Sequence, residues 1–118
     1  MPQRGGYDLR MAADGSDPTL KAFLAGLAGV RSRIEKVILF GSRVRGDEKP
    51  YSDYDVLIVV DERERDILDA VHDAVMDALL ATGRLVSPKV YRRRDFDRFS
   101  AIPTPFFKNV LKEGIPLG

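Results

Sequence analysis

Apolar residues recur along this chain in two periods. Leu20, Phe23, Leu24 and Leu27 stand three and four positions apart, the repeat of a helix with one buried stripe. Ser16-Asp17-Pro18 precedes them and reads as a helix start, a capping side chain followed by proline at the first helical position. Gly29 weakens the helix near its end. Residues 36–40, Lys-Val-Ile-Leu-Phe, form a short apolar run stopped by Gly41, the mark of a buried strand. Residues 41–52 are polar and broken by Gly46 and Pro50. Residues 53–60 start polar and end on Leu57-Ile58-Val59-Val60, a second strand. Ile67, Leu68, Val71, Val75, Ala78 and Leu79 predict an amphipathic helix over 65–81 that ends near Gly83. Residues 85–91 read as a third strand, with Pro88 placing it at a sheet edge or at a bulge. Asp95 is a candidate cap for a short turn through Phe96 and Phe99, and residues 105–113 make a last helix with Gly114 beyond it. This order predicts an α/β (α+β) fold, a small mixed sheet flanked by helices.

The length of 118 residues fits one domain, and an apolar share of 44% supplies one packed core. Residues 1–17 are polar, with Gly5, Gly6 and Gly15, and are expected to form a flexible arm ahead of a domain at 18–118. There is no cysteine, which excludes a disulfide scaffold, a thiolate metal site and a cysteine nucleophile. The N-terminus has no apolar signal core, and no run approaches the ~20 apolar residues that span a bilayer. A cytoplasmic protein without a membrane partner is expected. The net charge of +1 argues against a dedicated nucleic-acid binder, whose footprint is strongly basic.

The candidate chemistry lies between Gly41 and Asp55. A buried strand delivers the chain to Gly41-Ser42. Glycine lets the backbone approach a ligand closely, successive N–H groups in such a turn point at an anion, and Ser42 adds a hydroxyl. A helical turn begun by Arg43-Val44-Arg45 adds its dipole to that attraction. Asp53 and Asp55 are two residues apart, so an extended strand sends both carboxylates to one face. Two hard oxygen ligands side by side suit Mg²⁺, which takes one or two carboxylates and completes its shell with substrate phosphate oxygens. A phosphate cradle next to a cation site is what phosphoryl or nucleotidyl transfer requires.

Gly41-Ser42-Arg43-Val44-Arg45-Gly46-Asp47 followed by Ser52-Asp53-Tyr54-Asp55-Val56-Leu57 resembles the signature of the DNA polymerase β nucleotidyltransferase superfamily. The length, and the ending Phe106-Phe107-Lys108-Asn109-Val110-Leu111-Lys112-Glu113-Gly114, resemble the minimal nucleotidyltransferases (MNT) of bacteria and archaea. The likeness covers residues 37–114. It implies the nucleotidyltransferase fold, with Gly41 and Ser42 on the triphosphate, Arg43 and Arg45 beside it, and Asp53 and Asp55 as catalytic residues and Mg²⁺ ligands. It further implies ATP as the nucleoside triphosphate and a HEPN-domain protein as partner. In that setting the protein acts as an antitoxin by transferring AMP to a hydroxyl of the toxin. One departure stands out. The superfamily carries a third carboxylate on a later strand, and the matching strand at 85–91 offers only Ser87 and Lys89. Asp95 or an acid on the partner is a candidate substitute. The alternative is therefore a nucleotidyltransferase-fold protein of little or no activity that neutralises a HEPN partner by covering it.

The remaining residues carry weaker signals. Arg92-Arg93-Arg94 reads as a solvated loop or a partner surface. His72 has no second histidine and belongs on the surface. Tyr51 and Tyr54 flank the site, either bordering a base or packing in the strand. Phe106, Phe107, Val110 and Leu111 form a stripe on the last helix, to dock on the sheet or to meet a partner. Phe106 and Phe107 are adjacent and cannot both point into one core, so one of them is a candidate for a partner interface.

Overall fold

The computed structural model describes residues 17–41, 53–102 and 104–118. Along the chain run α1 (Pro18–Gly26), a 3-10 turn (Ala28–Arg33), β1 (Ile34–Phe40), β2 (Tyr54–Val60), α2 (Arg65–Thr82), β3 (Val86–Arg92), α3 (Arg93–Ser100), α4 (Pro105–Glu113) and β4 (Ile115–Pro116). The strands form one mixed sheet in the order β3-β2-β1-β4. β1 is antiparallel to β2 and to β4, and β2 is parallel to β3. The parallel pair needs a crossover, and α2 supplies it.

Local chemistry sets most of the boundaries. Asp17 caps α1, its Oδ1 accepting from the N–H groups of Thr19 and Leu20 at 2.9 and 3.0 Å, with Pro18 at the first helical position. In α2 the buried residues Ile67, Val71, Ala74 and Ala78 fall three and four apart. The helix ends at Gly83, whose φ of 73° is left-handed and whose N–H bonds to the Leu79 carbonyl. Thr104 caps α4 through its hydroxyl, followed by Pro105.

The sheet separates two apolar layers. On one face Leu20, Phe23 and Leu27 of the α1 segment and Ile67, Val71 and Ala74 of α2 cover Val37, Leu39, Val56, Ile58 and Val60. On the other, α3 and α4 lay Phe96, Phe107 and Val110 over Phe40, Leu57 and Val59. β2 is therefore buried on both faces, which explains its unbroken apolar run. β3 lies at the sheet edge, where one side of the ladder is unpaired and proline is tolerated, as Pro88 indicates.

Three elements differ from the sequence reading. β1 starts at Ile34, because a register irregularity between Ile34 and Lys36 turns the polar pair Glu35 and Lys36 outward without ending the strand. The stretch after β3 is the eight-residue helix α3, not a short turn capped by Asp95. Arg92 occupies the cap position, and Asp95 lies in the first turn, where a carboxylate suits the helix dipole. β4 has two residues, too few for any periodicity to announce. No helix among the described residues is long and apolar enough to cross a membrane.

Candidate functional site

The antiparallel step from β1 to β2 and the parallel step from β2 to β3 bring three chain segments to one end of the sheet. The end of β1 meets the starts of β2 and β3 there. Phe40 pairs with Asp55 across β1 and β2, and Asp55 pairs with Ser87 across β2 and β3. Asp53 precedes β2 by one residue. Asp53 and Asp55 share the parity of Leu57 and Val59, so they stand on the face that α3 and α4 cover further along. Both acids are half-buried.

Gly41 closes the site from β1. Its φ is +87°, a conformation that residues with a side chain adopt only with strain. A β-carbon there would lie 2.5 Å from Oδ2 of Asp55 and 3.2 Å from its Cγ. Glycine therefore answers two demands at once, the backbone turn and the close approach of the Asp55 carboxylate. Ser42, Arg43, Arg45 and Tyr51 lie outside the described residues.

Ser87 stands where the third acid was sought. Its hydroxyl donates to Oδ2 of Asp53 at 3.0 Å, which fixes one carboxylate oxygen and adds no charge. Lys89 pairs with Leu57 and is exposed, one side-chain repeat further along the sheet. It is not beside the acids. Asp95 is no substitute either. It follows the far end of β3, which lies about 17 Å of strand away from Ser87, and is held there by Arg92 at 2.7 Å and Arg98 at 3.3 Å. The Arg92 guanidinium beside it holds the Asp95 carboxyl below the usual carboxylate range.

Two carboxylates on one face, one oriented by a neutral donor, fit a single divalent ion whose remaining ligands are phosphate oxygens. No group of three or more Asp, Glu, His or Cys residues placed to hold an ion occurs among the described residues.

The other candidates find ordinary places. Tyr54 is 5% exposed and turned to the opposite face from the acids, in the α1 and α2 layer, so it does not border a base. Phe107 is committed to the core, ringed by Tyr91, Phe96, Phe99 and Phe106 at centroid distances of 5.0–6.1 Å. Phe106 is half-buried and meets Phe40 edge-on at 5.4 Å. Because Phe40 pairs with Asp55, α4 supports the strand that faces the acids. Leu111, 56% exposed, is the outward member of the stripe. His72 is exposed, as expected. The basic run is ion-paired. Arg92 meets Asp95, Arg93 meets Glu35 and Asp97, and Arg94 meets Glu62. This end of the molecule is a mixed-charge surface rather than a basic patch. The pairs Arg93–Glu35 and Arg94–Glu62 and the Ser87 bond join residues 32–58 positions apart, so no local motif announces them.

Comparison with known proteins agrees with the geometry. The family described as polymerase beta, nucleotidyltransferase matches residues 24–117. A Methanocaldococcus jannaschii protein provisionally named a protein adenylyltransferase is 37% identical over 99 residues, covering 83% of this chain and 93% of the relative. The match takes in both layers of the fold and every described residue of the site, and the chain belongs to the polymerase beta nucleotidyltransferase family as a nucleotidyltransferase of the minimal type.

Proposed function

We propose that this nucleotidyltransferase uses Mg²⁺ and ATP and transfers AMP to a hydroxyl of a partner protein, a HEPN-domain toxin that it restrains. The observation that carries the reading is the placement of Asp53 and Asp55 on one face of β2, with the α-carbon of Gly41 packed against Asp55. Gly41 with Ser42, Arg43 and Arg45 would receive the triphosphate. Asp53 and Asp55 would hold its Mg²⁺, which when bound neutralises the phosphates and makes the α-phosphorus a better electrophile. Transfer joins the acceptor oxygen to the α-phosphorus, breaks the bond to the β-phosphate oxygen, and releases pyrophosphate and the hydroxyl proton. The name of the Methanocaldococcus jannaschii relative supports a protein as acceptor.

A second reading is neutralisation of the partner by contact alone. The neutral Ser87 at the position of an acid favours it, because fewer ligands leave the attacking hydroxyl less activated. Titration of ATP with and without Mg²⁺, on the wild type and on Asp53→Asn/Asp55→Asn, tests the site. Mg²⁺-dependent binding that the double variant loses by at least ~1–3 kcal/mol is expected; equal affinity in all four cases refutes it. Labelled AMP appearing on the co-expressed partner separates transfer from contact alone.

A further inference from the structure

We infer that Tyr54 is a positioning residue for the two acids, acting through a buried tie to the start of α1. The inference rests on the reading of Asp53 and Asp55 as ligands of the nucleotide-borne metal.

Tyr54 is the residue between the two acids. Alternation along the strand sends its ring to the opposite face, where it is 5% exposed and its hydroxyl donates to Oδ2 of Asp17 at 3.0 Å. Asp17 is itself 3% exposed. Its other oxygen is occupied by the cap of α1, accepting from Thr19 and Leu20. One buried carboxylate thus serves both a helix start and, 37 residues on, the residue that carries an acid on either side. The backbone N–H of Tyr54 bonds to the Leu85 carbonyl at 2.9 Å, and Ser87 holds Asp53. The first turn of β2 is pinned on one face by a phenol, on the other by a serine, and along its edge by the β3 segment.

Strand ends fray when nothing holds them. A rotation of the peptide at position 54 swings both carboxylates together, since they flank it. Groups that orient metal ligands commonly matter by 10–100-fold, roughly, in affinity without touching the metal. A second hydroxyl bridge offers an internal control. Thr19 donates to Thr82, and Thr82 donates to the Ala78 carbonyl. That bridge joins α1 to α2 in the same layer, its Thr82 oxygen also accepting from the Arg84 N–H, and none of these bonds reaches a residue of β2.

The test measures binding of Mn²⁺ with a non-hydrolysable ATP analogue to the full chain, by water-proton relaxation, beside thermal unfolding of each variant. Tyr54→Phe removes only the hydroxyl. Asp17→Ser keeps a cap for α1 but spends its single oxygen there, removing the acceptor of the Tyr54 hydroxyl. Both are expected to weaken binding about tenfold or more at temperatures where they are fully folded. Thr82→Val is expected to lower the unfolding temperature comparably and leave binding within about twofold. Equal weakening by Thr82→Val, or unchanged binding in Tyr54→Phe and Asp17→Ser, overturns the inference and reduces the tie to a stabilising contact. Absence of metal-dependent binding in the wild type overturns the reading of the acids themselves, and the inference with it.

Discussion

Gly41→Ala is the sharpest single perturbation of the site. Two terms oppose the new methyl. The backbone at φ +87° costs a residue with a β-carbon roughly 1–2 kcal/mol. The β-carbon would also stand 2.5 Å from Oδ2 of Asp55, so the carboxylate must swing off its preferred rotamer at about 0.5–1.5 kcal/mol. Gly83→Ala separates the two. Its φ of +73° carries the same backbone strain, but no atom lies within 4 Å of the added carbon. For a chain of this length about 1 kcal/mol shifts Tm by about 4 °C. Gly83→Ala should therefore lower Tm by about 4–8 °C, and Gly41→Ala by a few degrees more. The larger divergence is expected in function. Displacing the Asp55 carboxylate should weaken Mg²⁺-dependent ATP binding at least ~10-fold, the usual scale for a misplaced ligand, while Gly83→Ala leaves it unchanged. Calorimetric titration at 15 °C, with Tm from circular dichroism, reads both. If Gly41→Ala loses stability but binds Mg-ATP as the wild type does, the contact between Gly41 and Asp55 is irrelevant to the ligand and Asp55 is not holding the metal.

Ser87→Asp should place a third carboxylate beside Asp53 and raise single-turnover AMP transfer to the partner, whereas Lys89→Asp, opposite Leu57, should not; a rise at Lys89 and none at Ser87 would contradict the register. Phe107→Ala should cost about 3–5 kcal/mol in urea unfolding, the range for a buried aromatic, while Phe106→Ala should cost less and show its effect in co-purification with the partner; an undiminished complex would confine α4 to a structural role. Asp66 is held below the ordinary carboxylate range by the hydrogen bond from Arg33, and Asp95 by that from Arg92. Depressed folded values mean that these pairs add stability above the unfolded carboxylate pKa and lose it as pH falls through the folded values. The urea midpoint of Asp66→Asn should accordingly fall less than that of the wild type between pH 5 and pH 2.5.

What could be seen in the sequence was local. Asp17-Pro18 announced a capped helix, Gly83 a helix end, Pro88 an edge strand, and the spacing of Asp53 and Asp55 a shared face, because each depends on neighbours within a few residues. The buried stripes of α1 and α2 followed from apolar period alone. The bond from Ser87 to Asp53 was invisible for a different reason. It depends on strand register, and register is set by the packing of β2 between two layers rather than by residues near position 87. The same holds for the arginine run. Arg92, Arg93 and Arg94 looked like a cationic stretch, and only folding shows Glu35 and Glu62 arriving from β1 and from the end of β2 to neutralise two of them. Asp95 is not a cap because the helix begins two residues before it, at Arg93, and its carboxylate is engaged by Arg92 and Arg98 instead.

The double burial of β2 sets a problem during synthesis. Val56, Leu57, Ile58, Val59 and Val60 are each at most 1% exposed in the folded chain, and they leave the ribosome before α2, β3, α3 or α4 exists to cover them. Five consecutive residues of this kind, without charge or proline, make a segment prone to cross-β self-association. The chain brackets it with Asp53 and Asp55 on one side and with Asp61, Glu62, Arg63, Glu64, Arg65 and Asp66 on the other, the arrangement of charged gatekeepers that blocks such stacking. On the proposed reading of the site, its acids thus have a second use, earlier than any encounter with nucleotide. Neutralising both to asparagine removes the upstream gate, so that variant should give a lower soluble yield at 37 °C than Ser87→Ala, even if the two purified proteins unfold at the same temperature.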